Sequence, residues 1–446
     1  MIIWGKVKKV NERMWIKSLQ LNNFRCFEKL KINFERTYTV LIGINGAGKS
    51  SILDAMSIAL GSFLAGLDGV SSNALHQDDV HYRMYEEGSV PNREKQFPTS
   101  ILMDAEVNGG IAIQWQRRLN NENGRTTVKE ARSIMEYASS LQERVRKGDK
   151  GVILPLIAYY GTGRLWARKQ NRLKSSQSKL NSARSRLRGY KDCLDVNTNE
   201  SIMLRWFSKM TYTRLQEGRA VPELEAVEQA VADCYCGMDD KAKDVKFRFS
   251  VKSDELELVI HYKDGAVSYL PVRLLSDGIR TILNMVADIA YRMAVLNPQL
   301  LGNIVRDTDG IVMIDELDMH LHPSWQQRIM QDLTRIFPKL QFVVTTHAPS
   351  ILANVHKENI RIIKDNEVFP AHNNSYGRNL TAIMHELMET EIRPQEILAL
   401  LKKFNDNLDE GDAAEAKKIL ETLEKTLGSN DQDVVDAKIA LTLESI

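Results

Sequence analysis

The chain has 446 residues, of which 43% are hydrophobic and 26% are charged, and its formal net charge is +2. This composition is typical of a globular protein with two or three domains. The sequence has no long apolar run, no signal sequence and only four cysteines, which argues against a membrane-spanning or disulfide-rich secreted protein and predicts a cytoplasmic one.

Apolar segments predict β-strands along the first part of the chain, at 15–21, 30–34, 38–42, 100–107, 111–116 and 152–160. A glycine-rich turn at 108–110 joins two of these strands into a hairpin. A polar helix is expected at 130–147. A basic segment, Arg164–Lys191, follows with ten Lys or Arg residues and no acid, and it fits either a solvated loop or a contact with nucleic acid.

The second part of the chain predicts helices within 200–236 and further strands at 245–251, 256–262, 310–314 and 341–345. From Glu386 to the end there are fifteen acidic and seven basic residues. This acidic tail reads as three short amphipathic helices. Pro394 suits the first turn of one helix, and Asp412 with Glu415 forms a capping-box pattern at the start of the next.

The most informative motif is GINGAGKS at 43–50, which fits the phosphate-loop pattern G-x-x-x-x-G-K-[ST] between a predicted strand and an apolar helix. Glycines let backbone N–H groups close around phosphates, and a helix N-terminus favours negative charge. Lys49 is expected to reach the outer phosphates of a nucleoside triphosphate, and the Ser50 hydroxyl to bind Mg²⁺. The full set of predicted nucleotide contacts here is Asn45, Gly46, Ala47, Gly48, Lys49, Ser50 and Ser51.

Two acidic residues, Asp315 and Glu316, end a strongly apolar strand. A strand directed at the phosphate loop would place Asp315 beside the Mg²⁺ ion and let Glu316 polarise a water molecule for attack on the γ-phosphate. His347, thirty-two residues after Asp315, ends the next buried strand and is a candidate sensor of the γ-phosphate.

Ser276 and Gly278 open an apolar helix thirty-nine residues before Asp315. A hydroxyl and an N–H group at a helix N-terminus fit an anion site, although a plain N-cap explains the same residues. His320 and His322 form an H-x-H pair that suggests metal ligands, but no third ligand accompanies them.

In this order, the motifs resemble those of ABC-type ATPases of the SMC/RecF/OLD-like branch. Gly43–Ser50 matches the Walker A motif and Ile311–Glu316 the Walker B motif. Leu275–Gly278 resembles the family signature, Leu317–Pro323 the dimer loop, and Thr346–Pro349 the switch histidine. Asn23–Phe27 resembles an N-terminal strand that often lies beside the nucleotide, which implies a nucleotide contact for Arg25.

The resemblance implies an α/β fold, with an ABC-type ATPase head, a helical insertion and a small helical region at the C-terminus. The expected boundaries are 1–128 and 245–375 for the two parts of the head, 129–244 for the insertion and 376–446 for the tail. It also implies ATP and Mg²⁺ as cofactors and a head-to-tail homodimer or larger homo-oligomer. Ser276 and Gly278 would contact the γ-phosphate held by the partner's Lys49.

Within the branch, the segments LPLIAYYGTGRLW and IDELDMHLHPSWQQ and the acidic tail look most like the PtuA family, the ATPases of Septu and some retron-linked antiphage systems. That resemblance implies a partner HNH nuclease of the PtuB type and no nuclease site in this chain. A further candidate partner is nucleic acid, either DNA or the RNA or DNA of a retron. No membrane partner is expected. The alternatives are a RecF-like DNA-repair clamp that binds DNA directly and, less favoured, an energy module for a transporter.

Overall fold

The computed structural model describes residues 13–85, 92–165, 185–195, 200–391 and 393–444. The side chains of residues 164, 165, 200, 201 and 444 are not described. Two compact units divide the chain, residues 1–378 and 379–446. No helix in the described part of the chain is long and apolar enough to cross a membrane.

The strands are β1 (Trp15–Phe24), β2 (Phe27–Asn33), β3 (Tyr38–Ile42), β4 (Tyr82–Tyr85), β5 (Asn92–Lys95), β6 (Thr99–Val107), β7 (Ile111–Leu119), β8 (Leu156–Tyr160), β9 (Ala242–Ser250), β10 (Glu255–Tyr262), β11 (Val267–Pro271), β12 (Gly310–Ile314), β13 (Leu340–Thr345), β14 (Ile360–Lys364) and β15 (Glu367–Pro370).

The helices are α1 (Lys49–Ala65), α2 (Arg132–Arg146), α3 (Glu200–Glu217), α4 (Pro222–Met238), α5 (Asp277–Leu296), α6 (Ile304–Asp307), α7 (Pro323–Gln326), α8 (Ile329–Ile336), α9 (Pro349–Leu352), α10 (Leu380–Glu386), α11 (Gln395–Asp409), α12 (Ala413–Leu427) and α13 (Gln432–Glu444).

A six-stranded sheet forms the centre of the first unit, in the order β15-β14-β3-β13-β12-β8. All neighbouring strands are parallel except the β14–β15 hairpin. Every residue of β8, β12 and β13 is buried, as expected for parallel strands that are covered on both faces. The continuous apolar runs in these segments therefore predicted them correctly.

Helix α1 packs between this sheet and a second, antiparallel sheet of order β2-β1-β6-β7. Thirteen of its seventeen residues are buried, because β13 lies on one side and β6, β7 and α2 lie on the other. Each fully buried large apolar side chain contributes about 1.5–3 kcal/mol to stability. The phosphate-loop helix is therefore held firmly at the middle of the unit.

The segment 129–244, predicted as a mainly helical insertion, contains the helices α2, α3 and α4 but also supplies β8 to the central sheet. Strand β8 pairs with β12 in parallel, with Tyr160 opposite Ile314. All five residues of β8 are apolar and buried, so this strand belongs to the core of the first unit. A small antiparallel sheet, β11-β10-β9, follows next to α4 and leads into α5.

The second unit contains the three predicted tail helices, now α11, α12 and α13, and in addition α10. Their core consists of seven buried residues, Ile397, Phe404, Ala416, Leu420, Leu423, Val434 and Ala437. The Asp412 side chain accepts a hydrogen bond from the Glu415 N–H at 3.0 Å, as the capping pattern predicted.

Candidate nucleotide-binding site

The parallel strands β3, β13 and β12 bring three loops to the same edge of the central sheet. Leu41 lies opposite Thr345, and Ile314 lies opposite Val344, so the carboxyl ends of these strands are level. The phosphate loop, the Asp315–Glu316 pair and His347 follow directly after these ends. The three motifs that are distant in sequence therefore converge on one site.

Close packing fixes the backbone of the phosphate loop. A side chain at Gly43 would meet the Ile363 carbonyl oxygen at 2.4 Å, and one at Gly48 would meet the Phe27 ring at 2.4 Å. Gly48 also has φ +95°, a conformation that favours glycine. It is the N-cap of α1, and no side chain caps that helix among the described residues. The first N–H groups of α1 are thus directed at the loop, where an anion would accept them.

Lys49 is 93% buried, and its ammonium group donates to the carbonyl oxygens of Gly43 and Ile44 at 2.9 and 3.0 Å. The pKa of this ammonium is lowered overall, because burial lowers it by more than the negative charges of Asp315 and Glu316 raise it. The lysine is therefore folded back across its own loop within the electrostatic reach of both carboxylates, at the place where a phosphate would sit.

Asp315 and Glu316 are joined through a threonine on the neighbouring strand. The Thr345 hydroxyl donates to Asp315 Oδ1 at 2.6 Å and accepts from the Glu316 N–H at 2.7 Å. Asp315 is buried, and its own N–H donates to the Tyr160 carbonyl at 2.8 Å. Glu316 has φ +48°, an uncommon backbone conformation for a residue with a side chain.

His347 lies beside the same carboxylates. The backbone N–H of His347 donates to Asp318 Oδ1 at 3.2 Å, and the Thr346 hydroxyl donates to the same oxygen at 2.7 Å. Burial, followed by repulsion from Lys49, lowers the pKa of the His347 ring below its usual value of 6.5. The ring is therefore neutral at pH 7 and can either donate or accept a hydrogen bond.

The signature residues contact the dimer loop. Ser276 is the N-cap of α5, and a side chain at Gly278 would meet the His320 carbonyl oxygen at 2.1 Å. An open pocket of about 640 Å³ lies here, lined by Ser276, His320, Leu321, His322, Ser324 and Trp325. Gly278 thus lies against the dimer loop, and Ser276 lines the same pocket as that loop.

His320 and His322, the two histidines of the H-x-H pair, both line this pocket. His322 Nδ1 is 2.8 Å from the Ser324 hydroxyl. In the part of the chain that the structure describes, no group of three or more His, Cys, Asp or Glu side chains is placed to hold a metal ion.

Arg25 lies in the turn between β1 and β2, next to the phosphate-loop helix. Its guanidinium pairs with Asp54 of α1 and donates to Asp79 at 3.0 Å. Asp54 also accepts from the Tyr159 hydroxyl at 2.9 Å. These ion pairs fasten the turn against α1, and a nucleotide contact of Arg25 stays a prediction.

Gln77 begins the short 3₁₀ turn Gln77–Asp79, which also contains Asp79, the partner of Arg25. Its amide donates to the Glu122 carbonyl and accepts from Lys95 at 3.3 Å. The hydrogen bonds of the Gln77 side chain are thus with Glu122, which follows β7, and with Lys95 of β5, and not with Asp315 or Glu316.

The residues at the sheet edge fit ATP and Mg²⁺ chemically. The uncapped N-terminus of α1 and the Lys49 ammonium match the charge of the phosphates. A carboxylate at Asp315 and an exposed hydroxyl at Ser50 are the hard oxygen ligands that Mg²⁺ prefers.

Most of the basic segment Arg164–Lys191 lies outside the described residues, at 166–184. Arg186 is described and is part of the fold, because its guanidinium donates to the carbonyl oxygens of Leu296 and Val152 at 2.6 and 2.9 Å. Arg188, in contrast, is exposed. A charge-neutralising test of DNA binding therefore has to spare Arg186.

Comparison with known proteins agrees with the motifs. A family model described as an AAA domain matches residues 18–235. The "Retron Vc95 probable ATPase" of Vibrio cholerae serotype O1 biovar El Tor is 26% identical over 93% of this chain and 88% of its own length. The "Septu protein PtuA" of Bacillus mycoides (strain KBAB4) is 25% identical over 81% of this chain and 42% of its own length.

The chain is an ABC-type ATPase related to the retron ATPases and to PtuA. Among solved structures, the SMC head domain from Thermotoga maritima aligns with 80% of this chain and 99% of that domain, at 14% identity and a TM-score of 0.42.

Sequence reasoning about this ABC-type ATPase missed Thr345, Thr346 and Asp318. The signal was present in the strand order, because residues that end adjacent parallel strands lie side by side. Thr345 follows Val344, which lies opposite Ile314, so it lies level with Asp315.

Proposed function

We propose that this ABC-type ATPase binds ATP and Mg²⁺ at the edge of the central sheet and hydrolyses ATP in a head-to-tail homodimer. The convergence of Lys49, Asp315, Glu316 and His347 at the ends of β3, β12 and β13 is the observation that supports this proposal.

In the proposed reaction, the N–H groups of residues 45–51 and the Lys49 ammonium hold the phosphates. Ser50 and Asp315 would hold Mg²⁺, and the bound ion would supply positive charge that offsets the charge of the phosphate oxygens. Glu316 orients and polarises the attacking water, and the neutral His347 ring contacts the γ-phosphate. Ser276 and Gly278 open α5, and the resemblance to ABC-type ATPases implies that a partner's copy of them would complete the site from the opposite side, where a helix N-terminus favours the charge of the γ-phosphate.

Two variants test this site. Lys49→Ala should abolish nucleotide binding, measured with a fluorescent ATP analogue. Glu316→Gln should retain binding and stop turnover, and ATP should then trap a dimer detectable by light scattering. Unchanged ATP affinity in Lys49→Ala, or normal hydrolysis in Glu316→Gln, would remove those residues from their proposed roles.

We further propose that the ATP state regulates a partner HNH nuclease in antiphage defence. The similarity to PtuA and to a retron ATPase over most of the chain supports this assignment. The second unit offers a separate surface for holding a partner, because it carries fifteen acidic and seven basic residues, whereas the rest of the chain is net basic.

The test is a pulldown of tagged Glu316→Gln protein from its native host with ATP and Mg²⁺, identifying bound proteins and nucleic acids together. A stoichiometric HNH nuclease is the expected result. Recovery of DNA or repair proteins without a nuclease would instead favour a RecF-like clamp. Arg188→Ala, which spares the structural Arg186, is the variant for testing direct binding to DNA in a salt titration.

A further inference from the structure

We infer that Thr345 is a positioning residue for the hydrolysis reaction, one that sets the orientation of both the Mg²⁺ ligand Asp315 and the water-activating Glu316. This inference rests on the proposed function and adds to it a residue that none of the sequence motifs contains. The juxtaposition that carries it is a single buried hydroxyl placed between two adjacent acidic residues.

The Thr345 hydroxyl both donates and accepts a hydrogen bond. A threonine hydroxyl has one hydrogen to donate and two lone pairs that accept. Here the hydrogen goes to Asp315 Oδ1 at 2.6 Å, and a lone pair accepts the Glu316 N–H at 2.7 Å. Thr345 is fully buried, so water does not replace either bond.

The bond to Asp315 orients the carboxylate. A donor on Oδ1 fixes the rotation of the carboxylate group and therefore the direction of its other oxygen. Hydrogen bonds of this kind to metal-binding carboxylates change metal affinity or activity by about 10- to 100-fold when they are removed.

The bond from Glu316 supports an unusual backbone conformation. Glu316 has φ +48°, which is costly for a residue with a side chain and persists only where its surroundings hold it. Thr345 supplies two acceptors, since its hydroxyl binds the Glu316 N–H and its carbonyl binds the Leu317 N–H at 2.9 Å. These bonds determine where the Glu316 side chain leaves the strand.

The next residue shows that the two threonines have separate roles. The Thr346 hydroxyl donates to Asp318 rather than to Asp315. A change confined to Thr345 therefore addresses the metal ligand and the water-activating residue without removing the contact that holds the His347 backbone.

The test compares Thr345→Val, which has the same shape without the hydroxyl, with Thr345→Ser, which keeps it. Thr39→Val is the matched control. Thr39 is also fully buried in the central sheet, and its hydroxyl accepts the Glu35 N–H at 2.8 Å, but it lies near the opposite end of β3. Thr345→Val loses two hydrogen bonds of the hydroxyl and Thr39→Val loses one, so both variants should unfold at a lower temperature.

We expect Thr345→Val to raise the Mg²⁺ concentration for half-maximal stimulation of nucleotide binding by about tenfold and to lower kcat by about 10- to 100-fold. Binding of the fluorescent nucleotide without Mg²⁺ should stay unchanged. Thr345→Ser should restore both quantities to within about threefold of the wild type, and Thr39→Val should alter neither.

If Thr345→Val matched Thr39→Val in Mg²⁺ dependence and kcat, Thr345 would be a structural residue only, and the inference would be wrong. A wild-type protein that binds nucleotide without hydrolysing it would refute the proposed function instead. The Mg²⁺ titration of nucleotide binding would still test Thr345 in that case, so the two failures are distinguishable.

Discussion

The contact between the signature helix and the dimer loop makes a sharp prediction for Gly278→Ala. Gly278 lies in the first turn of α5, and a Cβ atom there would be 2.1 Å from the His320 carbonyl oxygen. Unstrained carbon–oxygen contacts begin near about 3.3 Å. The substitution therefore requires the helix and the loop to separate by about 1.2 Å, the difference between these distances.

Such a shift should affect turnover much more than nucleotide binding. A misplacement of about 1 Å in a catalytic assembly can cost about 100-fold in rate, or about 2.7 kcal/mol in activation free energy. The phosphate loop and Lys49 lie on other elements, so affinity for ATP should stay within about twofold. Alanine is favoured over glycine in a helix by about 1 kcal/mol, so helix propensity will not cause a loss.

The assay is steady-state ATP hydrolysis at saturating ATP, beside binding of a fluorescent ATP analogue and a thermal melt. Gly302→Ala is the matched control, because a Cβ atom at Gly302 meets nothing within 4 Å. The control should hydrolyse ATP like the wild type. If Gly278→Ala kept more than half of the wild-type kcat with an unchanged melting temperature, the reasoning from this contact would be refuted.

Three further predictions concern the loop and the core. Gly48→Ala should abolish nucleotide binding, measured with a fluorescent analogue, because its Cβ would lie 2.4 Å from the Phe27 ring at φ +95°. Burial raises the pKa of Asp309 to about 6. The folded state therefore binds the Asp309 proton more tightly than the unfolded state does. As a result, the free energy of unfolding should fall by up to about 3 kcal/mol as the pH rises from about 4 to about 6. Asp309→Asn should remove this part of the pH dependence in urea melts at pH 4 and pH 8, and an identical pH profile in both proteins would contradict the pKa. Arg292 is buried, and its guanidinium lies 2.7 Å from the Asp288 carboxylate. Asp288→Asn removes this charged partner and should lower the free energy of unfolding, measured by urea titration, by about 3–5 kcal/mol. A loss below about 1 kcal/mol would show that the ion pair is dispensable.

The local features of this protein could be predicted from short runs of consecutive residues. The phosphate loop, the strand before Asp315 and the strand before His347 are each short patterns whose physical requirements are met by consecutive residues. Glycine at position 48, a run of buried apolar side chains and a terminal carboxylate pair are all visible without the fold. The predicted ends of β3, β12 and β13 accordingly agree with the structure to within a residue.

The pairs of residues that support one another across the site depend on how distant segments pack together. Thr345 binds Asp315 because two parallel strands place their ends level, and Gly278 faces His320 because α5 packs beside the dimer loop. Strand β8 joins the central sheet although it lies within a region expected to be an insertion. Such pairings depend on strand order and helix packing between distant segments, which a local pattern of residues does not encode.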